Sequence, residues 1–238
     1  MRAQRIQSGS FARQHRAERS GSTRPCRGLD ADRRVERRTL PYTPIAPNDL
    51  PVETTALARA LIGYVLAHDT PQGLVAGRIV ETEAYPPGDL AAHHYGGRTQ
   101  RNASLFLPAH HAYVYYIYGS SFCFNLSSED GGVGGGVLVR ALEPLLGAEL
   151  MCARRGSVAA RDLCRGPGRL CRALGIDRRF DGIALFGEAP LWLASPDRAR
   201  RSVGTSRRIG VSRASTRLLR FYERGNRFVS GPRSLSPA

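Results

Sequence analysis

The stretch Tyr64-Val65-Leu66-Ala67-His68-Asp69-Thr70-Pro71-Gln72-Gly73-Leu74-Val75-Ala76-Gly77-Arg78-Ile79-Val80-Glu81-Thr82-Glu83-Ala84-Tyr85 reads as two β-strands, 64–68 and 74–85, joined by a tight turn. Pro71-Gln72-Gly73 is turn chemistry, and β-branched and apolar residues fill both flanks. Strand side chains alternate, so Glu81, Glu83 and Tyr85 share one face, the two carboxylates about 6.6 Å apart along it. At that distance one carboxylate can act as a base while the other shapes its field. An isolated Glu-x-Glu is more often a pair of solvated strand residues. Here Leu74, Val75, Ile79 and Val80 lead into the pair, which makes the strand central and puts at least one glutamate at a cleft. Spacing alone does not choose between Glu81 and Glu83.

On the N-terminal side, Asp49 as a possible N-cap and Pro51 precede a helix over Thr54–Ile62, stopped by Gly63. On the C-terminal side a Pro/Gly/His-rich loop, 86–102, carries His93, His94, Arg98 and Arg101. Two aromatic strands follow within 112–126, around Gly119-Ser120-Ser121. A second glycine-rich turn, 131–136, leads to Val137-Leu138-Val139-Arg140, giving an antiparallel meander. Pro144 opens a helix that runs to about Arg155 before Gly156, and further helical segments around Gly166-Pro167 end at Leu174 before Gly175. Strands at 190–194 and 217–222 flank an Arg-rich loop. The expected fold class is α+β: one compact domain over 45–233, with a curved antiparallel sheet, a protruding β-hairpin and surrounding helices. Residues 1–44 read as a disordered Arg-rich arm and 234–238 as a short tail.

The chain carries a formal charge of +15, and all 35 of its Lys+Arg residues are arginine. Residues 1–40 hold 11 Arg and 4 acids, leaving 24 Arg and 16 acids, a net +8, in the remaining 198 residues. A basic folded part implies a polyanionic partner, because each phosphate contact releases condensed counterions. Nucleic acid leads; an anionic membrane surface is the rival, but the arm lacks the apolar face of a surface-bound helix. No apolar run approaches the ~20 residues of a membrane span. With no lysine, a Schiff base is open only to the terminal amine, so covalent lyase chemistry is not expected. The five cysteines include no Cys-x-x-Cys pair and read as buried thiols in a reducing compartment, with no metal site. The arm lacks the apolar stretch of a secretory signal. A monomer is expected, in the cytoplasm beside the nucleoid if bacterial, and in the nucleus or mitochondrion if eukaryotic.

Tyr113, Tyr115, Tyr116 and Tyr118 fall within six residues, followed by Phe122 and Phe124. Some are core, Tyr113 and Phe124 first among them, but Tyr118 abuts the turn, where a ring projects. Rings beside arginines suit base stacking, worth ~1–3 kcal/mol per base, and a projecting ring suits intercalation. His93-His94 and His110-His111 are adjacent pairs that point to opposite faces and do not chelate together; one histidine against a flat aromatic ligand is the better reading. Arg140, ending an apolar strand, is a natural partner for a buried carboxylate.

Together, Gly77-Arg78-Ile79-Val80-Glu81-Thr82-Glu83-Ala84-Tyr85, Ala91-Ala92-His93, Gly96-Gly97-Arg98-Thr99, Tyr113-Val114-Tyr115, Phe122-Cys123-Phe124-Asn125, Arg140-Ala141-Leu142-Glu143-Pro144 and Leu219-Arg220-Phe221-Tyr222 carry a resemblance. From about Pro51 to Gly231 the chain resembles the alkyladenine (3-methyladenine) DNA glycosylases of the mammalian type. The resemblance implies a cofactor-free hydrolase that removes alkylated or deaminated purines (3-methyladenine, 7-methylguanine, hypoxanthine, ethenoadenine) from double-stranded DNA. It implies Glu83 as general base, with Arg140 helping to hold the water. Tyr85, His93 and Tyr115 would stack the flipped purine, Asn125 would exclude the amino group of guanine, and Tyr118 would fill the vacated space. Arg98, Arg101 and Arg169 would meet the DNA backbone. Ser120-Ser121 replaces bulkier family residues at the hairpin tip. The alternative is a non-catalytic nucleic-acid-binding module using the same surface.

Overall fold

The hairpin becomes the middle of an antiparallel sheet in the computed structural model, which describes residues 42–232 and 234 apart from 118, 157, 197, 198, 200 and 201. Its strands, among the described residues, are β1 (Val65–Thr70), β2 (Gly73–Tyr85), β3 (Ala112–Ile117), β4 (Ser121–Ser127), β5 (Gly136–Leu146), β6 (Leu191–Ala194), β7 (Val203–Ser206) and β8 (Arg220–Glu223). The order is β3-β4-β5-β2-β1-β6. One edge of β2 runs along β5; on the other, residues 73–78 pair with β1 and 81–83 with β8, which in turn pairs with β7. The β2–β5 register slips at Ala76/Gly77 and on both sides of Glu81. Such irregularities add twist, and the sheet curls into a half-barrel.

Among the described residues three α-helices cover it: α1 (Thr54–Ala60), α2 (Ala148–Arg155) and α3 (Pro167–Leu174). The core joins Leu57, Leu61 and Ile62 to Ile79, Val114, Phe124, Leu126, Leu142, Met151 and Leu170. Burying such side chains is the dominant favourable term, about 1.5–3 kcal/mol each. The fold is thus α+β, as expected.

Several boundaries differ from the sequence reading. Glu53, not Asp49, caps α1, accepting from the amides of Thr55 and Ala56; Asp49 instead accepts from the amide of Ala46, at 2.7 Å, across its own 3-10 turn. Pro144 opens no helix. It lies in β5 opposite Gly77, and α2 starts only after Gly147, whose left-handed φ of 71° turns the chain. A Cβ on Gly147 would stand 2.5 Å from the Leu74 carbonyl oxygen, so this corner requires glycine. Strand β7 arises inside the stretch read as an Arg-rich loop. Cys123, Cys164 and Cys171 are buried free thiols, as expected, whereas Cys152 is disulfide-bonded. The N-terminal arm falls, up to residue 41, outside the described residues.

Candidate active site

The split of β2 between two partners makes room for charge at its C-terminal half. Glu81 and Glu83 are both fully buried there. They share Arg140, from β5, whose Nη1 lies 3.2 Å from Glu83 Oε2 and whose Nε lies 3.4 Å from Glu81 Oε1. Beyond that shared cation they differ. Glu81 turns inward: its Oε1 accepts from Arg220 Nε at 2.6 Å and its Oε2 from the amide of Ser230 at 2.6 Å. Arg220, itself fully buried, also donates to Ser206 Oγ and to the Ser230 carbonyl. Glu81 is therefore a structural anchor that ties β2 to β8 and to the C-terminal segment.

Glu83 has different partners. Its Oε2 accepts from the Tyr85 hydroxyl at 2.9 Å, and its Oε1 from the amide of Ile209 at 2.7 Å. Burial pushes its pKa above the ordinary glutamate value, outweighing the lowering by Arg140, the Ile209 amide and the Tyr85 hydroxyl; Glu81 nearby adds to the rise. A carboxylate with a raised pKa beside a fixed cation is a base poised closer to neutrality.

Tyr85, Arg140 and Ile209 line a cavity of about 480 Å³, well within the range of pockets that enclose small organic groups. Its walls also include His93, Tyr113, Tyr115, Cys123 and Asn125. The Tyr115 ring stacks on Tyr113 at 5.3 Å and receives the His93 ring edge-on at 4.5 Å. His93 and Tyr115 are thus one continuous wall. His93 Nδ1 bonds the Tyr113 hydroxyl at 3.0 Å. Burial, with Arg101 and His94 nearby, lowers the His93 pKa, so its ring favours the neutral form. Desolvation pushes the Tyr113 phenol up to about 12, and Tyr85 and Tyr115 higher still, so all three stay protonated. Asn125 is buried, its amide nitrogen donating to the Tyr113 carbonyl at 3.1 Å, which fixes the side chain at the pocket wall.

The sequence reading thus converges: Glu83, Arg140, Tyr85, His93, Tyr115 and Asn125 come together. The arginines expected at the DNA backbone do not join them. Arg98 and Arg101 are exposed on the loop that carries His93. Arg169 stands half-exposed on the first turn of α3, 3.6 Å from Asp162, in a groove with Arg155 and Arg172. That groove shares Ser121, Pro167 and Gly168 with the pocket rim. A Cβ on Gly168 would stand 3.0 Å from Ser121 Cβ, so any larger residue there would make the hairpin give by a few tenths of an ångström. Tyr118 lies outside the described residues.

Two contributors lay outside the expected site residues, the Ile209 amide and a buried pair behind Tyr85, while Tyr113, expected as core, is buried and lines the pocket as well. Arg208, its side chain fully buried, grips Asp89 (Nη1 to Oδ2 2.8 Å, Nη2 to Oδ1 3.0 Å) and sets its guanidinium carbon 4.5 Å from the centre of the Tyr85 ring. Nothing in composition separates Arg208 from Arg207 or Arg213, and a main-chain amide carries no residue signature. Among the described residues no group of three His, Cys, Asp or Glu could hold a metal ion, and no helix is long and apolar enough to cross a membrane.

A buried carboxylate with a fixed cation, beside a pocket walled by aromatic side chains in a basic protein, fits the class of hydrolases. Residues 48–227 match the family model of methylpurine-DNA glycosylase. A Mesorhizobium japonicum protein named "Putative 3-methyladenine DNA glycosylase" is 56% identical over 194 residues, covering 82% of this chain and 93% of its own. Proteins of the same name from Paraburkholderia phytofirmans (49% over 201 residues, 84% of this chain and 94% of theirs) and Methanoculleus marisnigri (44% over 182 residues, 75% and 94%) show the same likeness. The chain belongs to the methylpurine-DNA glycosylase family, and is a DNA glycosylase that hydrolyses N-glycosyl bonds. The non-catalytic alternative is set aside.

Proposed function

We propose that the enzyme takes an alkylated or deaminated purine out of double-stranded DNA, encloses it between Tyr85 and the His93–Tyr115 wall, and hydrolyses its glycosidic bond at C1′. The observation that carries this reading is Glu83, fully buried yet bonded to Arg140 and the Ile209 amide beside the pocket. Glu83 takes a proton from water as its oxygen bonds to C1′, and the C1′–N bond electrons leave with the base. An N-alkylated purine departs neutral because it was cationic when bound. A neutral lesion such as hypoxanthine needs a proton as well. Arg140 holds the water and limits the rise of the Glu83 pKa.

Selectivity follows from fit and from the stack. A damaged or mispaired base costs less to unstack, which favours its extrusion, and Asn125 stands where the exocyclic amino group of guanine would clash. Tyr118 fills the space left in the duplex. Arg98, Arg101 and Arg169, all exposed, meet phosphates on either side. The absence of lysine from the whole sequence supports a monofunctional enzyme that leaves an intact abasic site. The test is base release from duplexes carrying 3-methyladenine, 7-methylguanine, hypoxanthine or ethenoadenine, with borohydride present in a parallel reaction. Expected are alkali-labile sites on at least one lesion and no trapped protein–DNA adduct. Release from none, or a trapped adduct, contradicts the reading.

A further inference from the structure

The Arg208–Asp89 pair is buried, charged and unused by the mechanism above. Three contacts converge on it. Asp89 sits in the loop that leads to His93, where its Oδ1 also accepts from the Ala91 amide at 2.8 Å. Arg208 donates to the Ala84 carbonyl at 3.0 Å, between Glu83 and Tyr85, and covers the Tyr85 ring. The residue after Arg208 is Ile209, whose amide bonds Glu83. Burying two charges is costly unless their geometry is tight. Here it is bidentate, with one hydrogen bond left over for the β2 backbone.

We propose that Arg208, locked onto Asp89, is a positioning residue for the reaction: it holds the Ile209 amide on Glu83 and fixes the Tyr85 ring from behind. This rests on the reading of Glu83 as the base. One clamp then sets both the pocket wall and the protonation of the carboxylate, and loosening it disturbs both. The groups facing Glu83 are Glu81 and Tyr85 on β2, Arg140 on β5 and the Ile209 amide; Arg220 on β8 spends its guanidinium on Glu81. Of these, the Ile209 amide depends on Arg208 through the chain, and the Tyr85 hydroxyl through the ring that Arg208 covers. A weakened amide bond removes a stabiliser of the carboxylate, so the acid limb of activity moves to higher pH.

The test is single-turnover base release from lesion duplex, measured from acid to neutral pH. It compares wild type, Arg208→Lys, the near-isosteric Asp89→Asn, and Arg217→Gln, with folding checked by circular dichroism and thermal unfolding. Arg217 touches Asp89 from the solvent side at 3.2 Å, so it controls for charge alone. Expected is an acid limb shifted up by about half a pH unit or more, with a plateau rate roughly tenfold lower, as small misplacements produce. Arg208→Lys should show this fully and Asp89→Asn in part, with Arg217→Gln unchanged. If Arg208→Lys fails to fold, Asp89→Asn decides. An unmoved limb in the folded variants, or an equal shift in Arg217→Gln, overturns the proposal. A wild type that releases no base overturns the reading of the site instead.

Discussion

Glu83 combines two opposed demands: burial disfavours its charge, and the proposed reaction needs that charge. Burial prevails, raising its pKa above the ordinary value, while Arg140, the Ile209 amide and the Tyr85 hydroxyl limit the rise. With Glu83 as the proposed base, the rate should fall on acidification at a pH above that of an ordinary glutamate. The same shift acts on stability with the opposite sense. Because the folded-state pKa exceeds the unfolded one, the folded protein binds the extra proton between the two values. Stability from this group is therefore present at low pH and lost as pH rises through the folded pKa. Melting temperatures measured across that window should decline more for wild type than for Glu83→Gln. Parallel profiles would show that Glu83 is not the perturbed group. At this scale the sequence was informative about partners on one strand: Glu81, Glu83 and Tyr85 share a face as alternation dictates. It could not separate the glutamates, because their difference lies in Arg220 and the Ser230 amide on one side and the Ile209 amide on the other, all more than a hundred residues away.

Among the elements, β2 does most to build the site, since it joins β1, β5 and β8 and its register slips flank Glu81. Arg220 closes the junction, and its removal leaves buried Glu81 with the Ser230 amide and Arg140, at the longer distance of 3.4 Å, as its described partners. Arg220→Met should lower stability by about 3–5 kcal/mol in denaturant unfolding, the usual cost of breaking a buried pair by deleting one partner. A loss within 1 kcal/mol would show that the junction relaxes or admits water. The hairpins and the meander were legible because turn residues and apolar alternation are local signals. Strand β7 was not: Val203-Gly204-Thr205-Ser206 has little apolar content, and its pairing with β8 is set by the distant partner. Pro144 was misread because a proline near the end of an apolar run marks a helix start in many chains. Here it needs no ladder donor at a slipped register opposite Gly77.

The molecule as a whole is a strongly basic chain in which Glu81 and Glu83 are hidden from solvent. Outside residues 1–40 the net charge is still +8, so affinity for lesion duplex should fall steeply with salt. At six or more phosphate contacts the loss is about a thousandfold between 50 and 200 mM. A nearly flat dependence in filter binding or anisotropy would argue against a backbone-dominated interface. The central claim, however, is chemical, and one measurement reaches it most directly: base release and lesion-duplex binding by wild type and Glu83→Gln, side by side. The account predicts that Glu83→Gln binds the lesion duplex within about threefold of wild type while releasing base at least about a hundredfold more slowly, the scale of a lost general base. Equal rates of release by the two proteins would contradict it.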